Sequence, residues 1–440
     1  MRQLALLLCL AQLAAPAQPL TAQTAERVVA IGDIHGAIDE FKRILKAAGL
    51  ADDTGRWTGG KTALLQTGDY TDRGAGTRAV LDLLMALEPQ AKAAGGRAFA
   101  LLGNHEVMNL IGDTRDVTPE IFLTFADAKS AARQKEAWEQ YAKLGPAKAA
   151  KGEPVPAVYQ QTQQAWLAAH PPGYVEYRDA FGPRGKYGAW LRTKPIVTEY
   201  GGSIFMHAGI APERAPVKIE ELNERVRDEV GRLDRFVKRL VDAKLALLSF
   251  TLNEILAVAL NEIAVANALI TAAKESGQEL DRSRLNLALL KEAQDILTID
   301  QWVVVHPEGA LWYRGLSTLP DDPTGGPFAA LLQRYNAKRF VTGHTPQQDR
   351  KINVRYGGRA VLIDTGMLTS YYKGRPSALE IVGDELTAIY EDGRVPLETG
   401  SIAELKFRAT PRYAYTRPRF RGALLPGPPS AGSRASAAPW

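Results

Sequence analysis

A short β-rich apolar run, ending in a polar residue able to hold a metal or a phosphate, recurs along this chain. Val28 to Ile31 leads to Gly32-Asp33, Ala63 to Leu65 leads through Gln66 and Thr67 to Gly68-Asp69, and Phe99 to Leu102 leads to Gly103-Asn104. Farther on, Ile204 to Met206 runs into His207, Phe340-Val341 leads to Gly343-His344, and Val361 to Ile363 ends at Asp364. Residues 37–50 and 77–94, between the first three runs, have helical apolar periodicity, so this part reads as βαβ units with parallel strands. Such sheets bind ligands beyond the carboxyl ends of their strands. The recurring pattern therefore brings its polar residues to one rim.

Four of the six histidines stand in glycine-flanked turns: His35 in GDIHG, His105 in GNHE, His207 in MHAGI and His344 in GHTP. Asp33, Asp69 and Asn104 lie beside them, and GDYTDRGAG adds Asp72 and Arg73. The only cysteine, Cys9, lies in an apolar run near the N-terminus, which leaves the rest of the chain without thiolate chemistry. Oxygen and imidazole donors without sulfur suit two borderline-hard divalent ions such as Mn, Fe or Zn. Two ions about 3.5–4 Å apart need a shared anionic ligand plus private ones, and Asp69 is the expected bridge. Each turn alone is no more than a capped loop; three in order, each after a strand, make the case for metal. His170 and His306 each precede a proline outside this context and are read as structural.

With 440 residues, 45% of them apolar, the chain can bury a large core. Residues 4–15, behind Arg2 and before the small residues Ala15, Ala17 and Ala22, read as a secretory signal peptide over 1–22, which places the protein in the periplasm or outside the cell. The formal charge of +5 does not signal nucleic acid. Arg2 carries +1 and residues 406–440 carry +7, so residues 23–405 stand at −3. The stretch 406–440 reads as a flexible basic tail and 23–405 as one domain with two helical insertions, at about 120–170 and 217–300. Within the second, residues 245–273 are apolar but interrupted by Glu254, Glu262 and three asparagines, and read as a buried amphipathic helix rather than a membrane span.

The ordered motifs GDIHG, GDYTDRG, GNHE, MHAGI and GHTP resemble those of the calcineurin-like metallophosphoesterases. GDYTDRG and GNHE are similar to the phosphoprotein phosphatases. Residues 182–197, 309–316, 100–109 and 361–367 resemble their bacterial-type branch, the Shewanella-like protein phosphatases. Leu102 stands where the eukaryotic serine/threonine branch has arginine, and Ala208 where it has a second glycine, which also points to the bacterial type.

The resemblance, over roughly residues 27–385, implies an α/β four-layer sandwich of two mixed sheets flanked by helices. It implies that Asp33, His35 and Asp69 hold one ion, and that Asp69, Asn104, His207 and His344 hold the other. His105 would pair with Asp72 to assist the leaving oxygen, and Arg73 and Arg314 would grip the phosphate, their guanidinium forks matching its oxygens. The implied activity is a dimetal phosphomonoesterase in which a hydroxide bridging the ions attacks phosphorus. Its substrate would be a phosphorylated protein or peptide, or a small phosphomonoester, with no nucleic-acid partner and no stable membrane span. Two alternatives stay open: a dinucleoside polyphosphate hydrolase, disfavoured by Asp72 where such enzymes carry asparagine, and a catalytically silent binding or scaffold relative. The 217–300 insertion is either a lid or docking surface, or an outer layer that adds core.

Overall fold

The computed structural model describes residues 27–148, 156–282 and 285–398. The expected leader at 1–22 and the basic tail at 406–440 lie outside them.

Eleven strands build two mixed sheets among the described residues. The first has the order β11 (Gly393–Leu397), β10 (Glu385–Tyr390), β9 (Ser377–Val382), β1 (Val28–Ile31), β2 (Ala63–Gln66), β3 (Arg97–Ala100). The second has the order β4 (Val197–Tyr200), β5 (Ser203–Met206), β6 (Arg339–Thr342), β8 (Ala360–Leu362), β7 (Asn353–Arg355). β1, β2 and β3 run parallel, as do β5, β6 and β8, so each sheet has a parallel block whose carboxyl ends share one edge.

Side-chain alternation holds the sheets face to face. Val28 and Ala30 of β1 join Leu65, Phe205, Val341, Val361, Leu379 and Leu386 in a core drawn from both sheets, while Val29 and Ile31 point into the helix-covered core. On that outer side, α1 (Ile38–Ala47) and α2 (Thr77–Ala93) bury Phe41, Ile44, Leu45, Val80, Leu81, Leu84 and Leu87. This is the expected sandwich of two mixed sheets flanked by helices.

Residues 119–169 contribute the helices Pro119–Leu123, Ser130–Lys148 and Gln163–Ala169, and residues 221–296 contribute Glu221–Asp242, Leu252–Ser276 and Leu287–Ile296. Glu221–Asp242 buries a stripe of Leu222, Val226, Val230, Leu233, Phe236 and Leu240 at helical spacing. The expectation of a buried helix over 245–273 is corrected by the structure. The helix begins at Leu252 and buries only Leu252, Ile255, Val258, Ala259 and Ala266; Leu260 is 57% exposed and Val265 48%. The helix is long and apolar enough to cross a membrane by length and composition, but Leu252, Ile255, Val258 and Ala259 join it to the protein core.

Candidate metal centre

Each residue of the centre sits where a strand stops and a tight turn begins. Asp33 and His35 follow β1, Asp69 follows β2, Asn104 opens α3 (Asn104–Ile111) after β3, His207 follows β5 and His344 follows β6. The turns are strained: His35, Asp69, Asp72, Arg73 and His344 all have left-handed backbone, with φ between 48° and 69°. Non-glycine residues in that region cost on the order of 1–3 kcal/mol each and persist where the surroundings hold them. Neighbouring glycines provide room. A Cβ on Gly103 would meet Asp69 Oδ1 at 2.2 Å, and one on Gly343 would meet Asp33 Oδ1 at 2.1 Å.

The histidines are oriented by backbone carbonyls. His35 Nδ1 lies 3.0 Å from Thr71 O, His207 Nδ1 3.1 Å from Thr67 O, and His344 Nε2 3.1 Å from Trp312 O. A carbonyl only accepts, so each of those nitrogens carries a proton and the ring's other nitrogen is directed inward. His207 Nε2 then faces Asn104 Oδ1 at 2.8 Å, His344 Nδ1 at 3.0 Å and Asp69 Oδ2 at 3.2 Å. In the neutral ring these are lone pairs turned towards one another, an arrangement that a cation resolves. His35 Nε2 lies 3.7 Å from Asp69 Oδ2 and 3.8 Å from Asp33 Oδ2, and also receives Arg73 Nη1 at 2.9 Å. Two donor groups result, His35–Asp69–His105 and Asp69–His207–His344, the atoms of each within 4.8 Å of one another and Asp69 common to both.

Charge follows the same pattern. Burial, then Asp364 and Asp69, raise the Asp33 carboxyl well above its usual range. Burial also works against ionisation of Asp69, but His207, by charge and hydrogen bond, and His105 hold its pKa well below the usual value. Burial, with His105 and Arg73, keeps His35 neutral, and burial, with His207 and Arg314, does so for His344. Burial opposes protonation of His105 as well, yet Asp69 and the hydrogen bond and charge of Asp72 outweigh it and raise its pKa to about 9. Buried carboxyl groups facing imidazole nitrogens, without sulfur, fit divalent cations.

His105 Nδ1 meets Asp72 Oδ2 at 2.9 Å, and its Nε2 lies 3.8 Å from Asp69 Oδ2. Arg73 and Arg314 line a cavity of about 140 Å³ together with Asp69, Asn104, His105, Trp312, His344 and Tyr372. Arg314 is steadied by donating to His344 O at 2.9 Å and Thr345 Oγ1 at 3.1 Å. All ten residues singled out in the sequence thus meet around one centre. His170 stacks on Trp166 at 4.1 Å and His306 bonds Arg214 at 2.9 Å, neither among those ten.

Sequence reasoning missed several supports. Asp364, at the end of the sixth apolar run, is one of them. Its Oδ2 is buried with no hydrogen-bond partner among the described residues, and burial pushes its pKa up to about 6. Glu106 accepts from the backbone N–H of Gly103 (2.8 Å), Asp69 (2.7 Å), Tyr70 (2.9 Å) and Thr71 (2.9 Å), and from Thr71 Oγ1 (2.8 Å). Asn109 donates to Asp72 Oδ1 at 2.8 Å and accepts from Tyr177 Oη at 2.6 Å. Asn109 lies four residues after His105, on the same face of α3, and that spacing was available in the sequence. Tyr177 and Trp312 come from distant segments, and nothing local marks them.

Known proteins resemble this chain in sequence and fold. The calcineurin-like phosphoesterase family model matches residues 26–227. An uncharacterised protein of Schizosaccharomyces pombe is 30% identical over 370 residues, covering 83% of this chain and 80% of that one. Shewanella-like protein phosphatase 2 of Arabidopsis thaliana is 32% identical over 216 residues, 46% of this chain and 51% of its own length. Among solved structures, a cold-active protein tyrosine phosphatase shares the fold with a TM-score of 0.50 at 21% identity, over 86% of this chain and 80% of that one. On the breadth of these matches, the chain belongs to the calcineurin-like phosphoesterase family.

Proposed function

We propose that the protein is a phosphatase acting on phosphate monoesters of proteins or peptides, with two divalent cations (Mn, Fe or Zn) at the centre described above. Asp33, His35 and Asp69 would hold one cation, and Asp69, Asn104, His207 and His344 the other, with Asp364 behind Asp33. When bound, the cations supply a nucleophile at neutral pH and neutralise charge on the phosphoryl oxygens.

The chain's own residues do the rest. Arg73 and Arg314, on the same small cavity, bind the phosphate oxygens and fix the ester bond for in-line displacement. Asp72 holds the His105 ring by Nδ1, and Asn109 and Tyr177 hold Asp72. His105, its ring fixed through Nδ1, turns Nε2 towards Asp69 and the cavity, from where it delivers a proton to the departing oxygen. The observation that carries this reading is His105 clamped by Asp72 at 2.9 Å while lining the cavity of both arginines. The apolar run at residues 4–15 supports export to the periplasm or beyond, which cell fractionation tests.

The test is a panel of phosphotyrosine, phosphoserine and phosphothreonine peptides, with p-nitrophenyl phosphate, run on the wild type and His105→Asn. The variant should retain bound metal and lose about two to four orders of magnitude in kcat. Equal rates would remove His105 from the mechanism.

A further inference from the structure

A second cavity, of about 400 Å³, adjoins the first. Its walls are the first turn of α1, the Arg73–Gly76 loop before α2, and the segment around Leu368, Ser370 and Tyr371. Arg73 belongs to both cavities, and Tyr371, 4.8 Å from Tyr372, continues the wall that Tyr372 forms in the smaller one. A substrate chain whose phosphate sits against Arg73 and Arg314 thus has this second cavity beside it, one side chain away.

The charges on its walls are unbalanced. Arg73 is turned towards the metal centre, its Nη1 on His35 Nε2 at 2.9 Å and its guanidinium carbon 5.5 and 5.4 Å from the Tyr371 and Tyr372 rings. Asp39 is exposed on the wall and makes no ion pair among the described residues. Glu40 is held by Thr369 Oγ1 at 3.2 Å, and its cationic neighbour Arg43, at 3.6 Å, is drawn away to Glu391 at 2.9 Å. The amino end of α1 taken alone would favour an anion, but two carboxylates in its first turn offset that dipole. Tyr371, 61% exposed, offers a ring face on which a guanidinium or an alkyl-ammonium stem can lie.

We propose that this cavity is a subsite for a lysine or arginine side chain flanking the phosphorylated residue, and that it gives the enzyme a preference for basic phosphopeptides. The proposal rests on the phosphatase reading above and adds the substrate class.

Phosphopeptides that differ only in the flanking residues, arginine, alanine or glutamate, are to be compared on the wild type, Asp39→Asn and Asp39→Lys, with p-nitrophenyl phosphate as a substrate that has no flank. The wild type should show a KM about five-fold lower for the arginine peptides than for the glutamate peptides at low salt, with kcat little changed, and salt should weaken the effect. Asp39→Asn should shrink that ratio, and Asp39→Lys should reverse it while p-nitrophenyl phosphate turnover stays as in the wild type. A wild-type preference for glutamate, or one ranking shared by all three proteins, overturns the subsite while leaving the phosphatase intact. Failure to hydrolyse p-nitrophenyl phosphate and every peptide with metal supplied overturns the phosphatase reading, and the subsite falls with it.

Discussion

Glu106 accepts five hydrogen bonds in a fully buried place, and four of them come from the backbone that sets Asp69 and the Gly103 turn. An amide at that position turns an NH2 group against N–H donors that it cannot accept. Glu106→Gln should therefore cost about 3 kcal/mol in denaturant unfolding and lower metal affinity, because Asp69 loses its frame. His170 makes a different statement. Burial lowers its pKa, with Glu254 and the Trp166 carbonyl acting the other way, so the folded state binds its proton less readily than the unfolded chain does. Its effect on stability is nil above the unfolded value of about 6.5, and stability falls as pH drops below that towards the folded pKa. His170→Phe should flatten the melting temperature between pH 7 and 5, as read by calorimetry; an unchanged slope would exclude His170 as its source.

The helix Leu252–Ser276 shows why periodicity misled. Glu254, Glu262 and the asparagines read as the polar stripe of a buried helix. Glu254, however, is spent at the helix start, accepting from Thr251 N at 2.8 Å and Thr251 Oγ1 at 3.0 Å while Thr251 accepts in return, a capping box rather than a solvent face. Beyond Ala259, apolar side chains such as Leu260 and Val265 face outward. A sequence reports how apolar a helix is; only the neighbouring elements decide how much of it they cover. The consequence is an asymmetry along one helix. Val258→Asp, at a fully buried position, should cost several kcal/mol, whereas Leu260→Lys should change unfolding free energy by less than about 0.5 kcal/mol. Comparable losses from both would return the helix to the buried reading.

At the scale of the whole molecule, the legible part was the part that strand polarity dictates. Apolar runs ending in Asp33, Asp69 and Asn104, and those ending in His207 and His344, reach one edge of their own sheet because β1–β2–β3 and β5–β6–β8 pair in parallel. The two edges meet where His207 Nε2 faces Asn104 Oδ1 at 2.8 Å. Asp364, at the end of β8, obeyed the same rule, but its role depends on a neighbour 331 positions away, Asp33, whose proximity no local pattern records. That pair makes the molecule's stability depend on what occupies the centre. Burial pushes Asp364 up to about 6, above its unfolded value of about 3.9, so the metal-free fold binds a proton that the unfolded chain releases. Metal-free stability should therefore decline as pH rises from about 4 to 6 on this account, and remain lower above that. Asp364→Asn keeps the bond from Gly366 N, 2.9 Å in the wild type, and removes the charge. In chelator at pH 8 the variant should be more stable than the wild type by roughly 2 kcal/mol. Added Mn or Zn should reverse the order: it stabilises the wild type by about 2.7 kcal/mol at a hundred-fold excess over Kd, and the variant, its affinity cut about a hundred-fold, by only about 0.4 kcal/mol. Denaturant unfolding with and without metal reads both signs. Two proteins that keep the same order in both conditions would mean that Asp364 senses no cation.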